Sequence, residues 1–270
     1  MDSASSNIIF LTFGAGSKGW RDASIRISNE ARRFELFHDI FNLNEKWLKE
    51  QDLEVYEMIL SFIRRGLSKG YGYYLWKTAI LKWAHYNFPN YHLLYVDAGS
   101  HLDFRFKKDG IKNILFDNIE LGLAWELPDH KEIQWTKSEL FMRLGTDMST
   151  QTSNQIQSGF IFLPAMKRRL EFIDTFRDLA IEQKGFYFSD ELKTRQNYDF
   201  KDHRHDQSVF SLLWKTFDFG YKPDETYPEN FGNFPIIAKR NNTKYSAESS
   251  DLKLRFAQKI NSLQDKFRIF

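Results

Sequence analysis

The chain has 270 residues, 42% apolar and 27% charged, which is material for one sizeable core. Lysine and arginine number 38 against 36 aspartates and glutamates, so a formal charge of +2 excludes a globally basic nucleic-acid binder; the lack of cysteine excludes disulfides, thiolate metal sites and a cysteine nucleophile. The opening MDSASSNIIF has no basic stretch before an apolar one, and no segment is apolar over the length of a membrane span, so a soluble cytoplasmic protein is expected. Aromatic residues reach 17%, and core packing accounts for them more simply than a ligand site does.

In chain order, NIIFLTFG (7–14) reads as a first buried strand, ending in GAGSKG, a loop that lets backbone approach a ligand. ASIRISNEARRFELF follows as a helix with Ile25, Ile27, Ala31 and Phe34 along it, and NEKWLKEQDLEVYEMILSFIRR reads as a second. LWKTAILKWAHYNF repeats Trp76, Ile80, Trp83 and Ala84 on one helical face and leads into YHLLYVDAG, a buried strand ending on Asp97. Beyond it come a helix in KDGIKNILFDNI, a strand LGLAWEL, a helix in TKSELFMRLG, a strand SGFIFLP and a helix in AMKRRLEFIDTFRDLAIEQ. A long polar, irregular stretch precedes the helical SVFSLLWKTF. Strands alternating with helices predict an α/β fold, a mixed, mostly parallel sheet flanked by helices. Residues 1–245 are expected to form one catalytic domain. From 246 on, Phe256, Ile260, Leu263 and Phe267 fall on one face of a C-terminal amphipathic helix, which packs on the body or touches an anionic membrane surface at the inner face.

Three clusters carry candidate chemistry. Ligands of open α/β sheets bind beyond the carboxyl ends of the strands, where Asp97 falls, and the small Ala98 and Gly99 leave room for a diphosphate. A strand-ending turn is the plainer reading of the same residues. HRHDQS (203–208) crowds two imidazoles, a guanidinium, a carboxylate and an amide at a helix start, able to serve a metal or an anionic leaving group, although Asp206 is equally suited to capping that helix. GYGYYLWKT (70–78) combines glycines, aromatic rings and Lys77 at a helix start, a candidate phosphate contact.

The ordered series TFG, WK, YVDAG, QSGFIFL and HDQS, spread over residues 7 to 240, resembles nucleotide-sugar-dependent glycosyltransferases of the GT-A fold, the group of bacterial galactosyltransferases and glycogenin, together with capsule and polysaccharide transferases. The resemblance implies a GT-A-like nucleotide-diphospho-sugar transferase domain that moves a sugar from a nucleotide donor, a UDP-sugar foremost, to a hydroxyl of a glycan or lipid-linked acceptor in bacterial surface polysaccharide synthesis. It implies Mn²⁺ or Mg²⁺ held by an Asp-x-Asp motif, of which Asp97 matches the first carboxylate and Gly99 stands at the second. His203 or His205 then serves as replacement ligand, or cations neutralise the diphosphate; Lys239 and Arg240 stand where the family carries a late metal-binding histidine. Nucleotide-sugar contacts are expected from Phe13, Gly14, Arg33, Lys77, Asp97, Gly99, Gln157, Ser158 and Gly159. Asp206 and Gln207 are the expected catalytic pair near the anomeric carbon, with Ser208 completing the motif. Two other readings remain open: a metal-dependent phosphohydrolase or nuclease using Asp97, His203, His205 and Asp206, and a catalytically silent sugar-binding protein.

Overall fold

Ile8, Ile9, Phe10 and Leu11 are all fully buried, so their strand must be covered on both faces. The computed structural model, which describes residues 6–103, 108–227 and 234–239, shows how. Its strands are β1 (Ser6–Phe13), β2 (Phe37–Leu43), β3 (His92–Val96), β4 (His101–Leu102), β5 (Leu123–Lys131), β6 (Asn154–Leu163), β7 (Tyr221–Pro223) and β8 (Ile236–Ile237). Six of them form one sheet in the order β2-β1-β3-β6-β5-β7, in which β2, β1 and β3 are parallel, β6 is antiparallel to both neighbours, and β7 is parallel to β5; β4 and β8 pair separately. The expected α/β class with a mixed, mostly parallel sheet is what forms.

The helices are α1 (Lys18–Arg32), α2 (Glu45–Gln51), α3 (Leu53–Arg64), α4 (Trp76–Asn87), α5 (Lys108–Phe116), α6 (Glu132–Trp135), α7 (Ser138–Leu144), α8 (Met148–Thr152), α9 (Arg168–Ile181) and α10 (Asp206–Thr216). Alternation sorts the strand side chains between two layers. Ile9, Leu11, Leu93, Tyr95, Ile161 and Leu163 pack with α2, α3, α4, α9 and α10, while Ile8, Phe10, Leu94, Val96, Phe160 and Phe162 pack with α1 and α5. Among the described residues no helix is long and apolar enough to cross a membrane.

Two elements depart from the sequence reading. The stretch read as one helix over residues 44–65 is α2 and α3, because Asp52 leaves helical geometry and its Oδ1 accepts the Val55 N–H at 3.1 Å as an N-cap. The helix read through Phe37 stops at Arg32, and FHDIFNL is strand β2, whose polar His38, Asp39 and Asn42 hide an edge position. The expected helix within 246–270 lies outside the described residues.

One feature of register places the site. β3 pairs with β6 only from Phe160 to Leu163, the last pair being Val96 with Phe160. Residues 154–159 of β6 therefore run past the end of β3, paired on their other side with β5 through Gln157–Trp125 and Ile156–Glu126. They form a ledge beside Asp97.

Candidate active site

Lys77, in the first turn of α4, is 1% exposed and must find its partners inside the protein. Its ammonium donates to Asp206 Oδ2 at 2.6 Å, to the Ser158 carbonyl at 2.8 Å and to Ser158 Oγ at 3.2 Å, and lies 3.5 Å from Asp97 Oδ1. The Ser158 hydroxyl donates to the same Asp206 oxygen at 2.6 Å. Burial works against this charge, but Asp206 and Asp97 outweigh it and raise Lys77 above its ordinary 10.5. One cation thus joins the end of β3, the middle of β6 and the start of α10. The phosphate contact expected of Lys77 is not what it makes: its donors are committed to Asp206 and Ser158.

Asp97 is the accessible acid, its side chain 38% exposed against 5% for Asp206. Tyr95, buried two residues upstream, donates its hydroxyl to Asp97 Oδ1 at 2.5 Å; burial and then Asp97 push that phenol well above its ordinary 10, so it stays a donor. Gly159 gives the carboxylate space, since a Cβ there would sit 3.0 Å from Asp97 Oδ2. Beneath the turn, buried Arg26 of α1 donates to the Ala98 and Ser100 carbonyls, both at 2.7 Å. Its i,i+4 neighbour Glu30 accepts the Leu102 N–H at 2.9 Å and meets the His101 ring at 3.2 Å. Arg26, Glu30 and Tyr95 were missed as site residues; an Arg–Glu pair four apart reads as a surface pair unless its face is known to be buried.

The segment before α4 has a rare backbone. Gly70, Tyr71, Gly72, Tyr73 and Tyr74 all have φ between 52° and 79°, a left-handed turn that costs about 1–2 kcal/mol at each tyrosine. Trp76 Nε1 pins it by donating to the Gly70 carbonyl at 3.1 Å. The turn brings Tyr71 to Phe13 and lets Trp76 stack on Phe13 with centroids 4.3 Å apart. It also sets Tyr73 and Tyr74 against His205, centroids 4.9 Å and 6.3 Å away. Gly14, beside Phe13, permits the close approach of α1: a Cβ would meet Ser24 Oγ at 2.3 Å and the Trp20 carbonyl at 2.5 Å.

Gln207 donates to Gln155 Oε1 at 2.7 Å, and Gln155 Nε2 in turn reaches Glu132, a fully buried carboxylate that also takes Lys215 Nζ at 2.7 Å and the Ser211 hydroxyl. Gln157 donates to Thr226 Oγ1 at 3.0 Å. Arg33 does not join the site. It caps the far end of α1, which runs back about 22 Å along the sheet to the amino end of the parallel strands, opposite Asp97.

The donor set does not fit a divalent cation. His203 is buried with Nε2 on the Tyr187 carbonyl at 2.8 Å and Nδ1 facing the Lys137 N–H at 3.4 Å, and His205 Nδ1 bonds the Phe188 carbonyl at 2.8 Å. Asp97 has the Lys77 ammonium beside it and no side chain at Gly99. Among the described residues no three histidine, aspartate or glutamate side chains are grouped to hold a metal, so the expected ligand set of Asp97, His203 and His205 is not brought together. The loop that carries the two histidines folds onto its own carbonyls instead.

No family model matches the chain, and no curated protein matches it in sequence. Among solved structures it is similar to a glycosyltransferase involved in the glycosylation of the major capsid of PBCV-1, at 14% identity over 85% of this chain and 91% of that one with a TM-score of 0.48. It is also similar to mouse xyloside xylosyltransferase 1 in its apo form (11% identity, 88% and 98% coverage, TM-score 0.42). The galactosyltransferase LgtC in complex with donor and acceptor sugar analogs is a third (15% identity, 87% and 83% coverage, TM-score 0.39).

Proposed function

We propose that the protein is a glycosyltransferase that moves a hexose from a nucleoside-diphosphate sugar, a UDP-sugar foremost, to a hydroxyl of a glycan or lipid-linked acceptor in the building of a surface polysaccharide. The observation that carries this reading is convergence: TFG, WK, YVDAG, QSG and HDQS, far apart in sequence, meet at the carboxyl edge of the parallel strands, joined by Phe13–Trp76 stacking and the bonds of Lys77 to Ser158 and Asp206. That edge is where open α/β sheets hold nucleotides.

In the reaction the acceptor hydroxyl attacks the anomeric carbon as the bond to the diphosphate oxygen breaks; the leaving group departs with the electron pair and takes up the proton that the hydroxyl loses. Asp97, whose partly exposed side chain is held through Oδ1 by Tyr95, accepts a hydrogen bond from a hydroxyl of the sugar nucleotide. Asp206 acts as a positioning residue, since its Oδ2 holds Lys77 and Ser158; Gln207 completes the helix start that faces the sugar. The charge developing on the diphosphate is met by a protein cation, for which Lys239, which follows β8, is the candidate. The hydrolase reading is disfavoured because both ring nitrogens of His203 are taken by backbone groups and, among the described residues, no three histidine, aspartate or glutamate side chains are grouped to hold its metal.

Thermal-shift binding of UDP, GDP, CMP and their sugar conjugates, with and without Mn²⁺, tests this on wild type and Asp97→Ala. Stabilisation by one nucleotide class that Asp97→Ala loses is expected. Stabilisation by none would overturn the transferase in favour of a silent binder.

A further inference from the structure

His205 stands one residue before the Lys77–Asp206 pair and has an unmet need of its own. Its Nδ1 lies 2.8 Å from the Phe188 carbonyl oxygen, a contact only an N–H makes, so the neutral ring carries its proton on Nδ1 and leaves Nε2 a bare acceptor. Nε2 is buried without a hydrogen-bond partner, and what faces it is another acceptor, Asp190 Oδ1 at 3.6 Å. A buried polar atom left in this state costs about 1–3 kcal/mol. The backbone is strained at the same residue, φ 54° with ψ −124°, a region nearly reserved for glycine.

Protonation of the ring would close the gap, but burial and then Lys69 push His205 below its ordinary 6.5. Asp190 and Asp206 oppose that push without reversing it, and Tyr73, Tyr74 and His203 are the other titratable groups packed around the ring. Lys69 does not fill the gap either, standing 3.7 Å from Asp190 and 3.6 Å from Asp202. Asp190 has the Tyr73 hydroxyl and the Lys69 ammonium beside it, whereas no donor reaches His205 Nε2.

We propose that a sugar ring binds here, one O–H supplying the donor that His205 Nε2 lacks and the neighbouring O–H reaching the exposed Asp190 carboxylate, so that these two residues with Tyr74 form the subsite for the acceptor sugar. The proposal rests on the transferase reading above. A single hydroxyl has one proton to give, whereas a vicinal pair satisfies both acceptors, each at about 2.8 Å. The partly exposed Tyr74 ring supplies the apolar wall that sugar sites combine with a few convergent polar groups, and the buried Tyr73 packs on His205. Asp190, 44% exposed, is the side from which the ligand enters.

The experiment is saturation-transfer NMR on the full chain with the methyl glycosides of glucose, galactose, mannose and xylose, with and without UDP. Wild type is compared with His205→Asn, whose amide keeps an N–H for Phe188 and tolerates positive φ but lacks Nε2. At least one glycoside should bind wild type, remain bound when UDP is added, and weaken roughly tenfold in His205→Asn with UDP stabilisation and melting temperature unchanged. Glycoside binding that is equal in His205→Asn, displaced by UDP, or absent throughout would overturn the proposal; equal binding means that water alone bridges the gap. Loss of the transferase reading shows separately, as nucleotide stabilisation that fails to depend on Asp97.

Discussion

Replacing Lys77 by methionine isolates the ion pair at the centre of the site. The substitution keeps the length of the side chain and removes its charge, leaving Asp206 buried with only the Ser158 hydroxyl, and leaving the Ser158 carbonyl without the 2.8 Å donor. Breaking a buried pair by removing one partner costs about 3–5 kcal/mol. For a chain of this length that is a fall of roughly 6–15 °C in melting temperature. Lys77→Met/Asp206→Leu removes both charges and should regain most of the loss, with a coupling of about 3 kcal/mol, while binding no nucleotide. Urea unfolding followed by circular dichroism, with calorimetry as a second probe, measures both variants. A loss below about 1 kcal/mol in the single variant, or no recovery in the double, would refute the view that the pair is a buried, mutually dependent unit.

Gly72→Ala should lower the urea midpoint through two effects: about 1–2 kcal/mol for a side chain at φ +79°, and about 1–3 kcal/mol for a Cβ placed 2.7 Å from Ile59 Cγ1. Gly145→Ala, at φ +63° in open space, should show only the first, and equal losses would contradict the packing argument. Lys137, whose ammonium holds the Phe186, Ser189 and Glu191 carbonyls, is pushed by burial down to about 8 from 10.5. The unfolded chain then binds that proton more tightly, so wild type should gain up to about 3 kcal/mol over Lys137→Met as pH rises from about 8 to 10.5; urea midpoints that move in parallel would sink this. Tyr95→Phe removes the 2.5 Å donor to Asp97 and should weaken nucleotide binding by a few-fold, at a stability cost of about 1 kcal/mol. Calorimetric titration showing unchanged affinity would mean that the phenol does not orient Asp97.

Buried strands were readable because β1, β3 and the end of β6 are continuous apolar runs, and composition alone marks such runs. Strand β2 was not, since its pattern mixes His38, Asp39 and Asn42 with apolar residues and its place at the sheet edge is a tertiary fact. Asp97, Ser158 and Asp206 were visible as charges or small polar residues next to apolar runs. The burial of Lys77 was invisible, because a lysine at a helix start reads as a solvent-facing cation until its partners 81 and 129 residues away are known. Arg33 was misplaced for a related reason: periodicity shows which face of a helix is buried but not which end meets the ligand edge. The left-handed turn had one signal, the spacing Gly70-x-Gly72, yet no propensity foretells three tyrosines with positive φ between and after them.

The ledge of β6 has a mechanical consequence. Past the bond from the Asp97 N–H to the Gly159 carbonyl at 2.8 Å, β6 leaves β3 and continues as a strand paired on one side only, with β5 and then β7 beyond it, so this part of the floor is a projecting edge rooted at the Val96–Phe160 pair. A strand paired on one side only bends and twists more readily than a strand in the interior of a sheet. Lys77 acts as its tie-rod, anchored in α4 and fastened to Ser158 on the ledge and Asp206 on α10. Any deflection that a bound substrate imposes on Ser158 is therefore passed to the start of α10, and the two sides of the cleft move together.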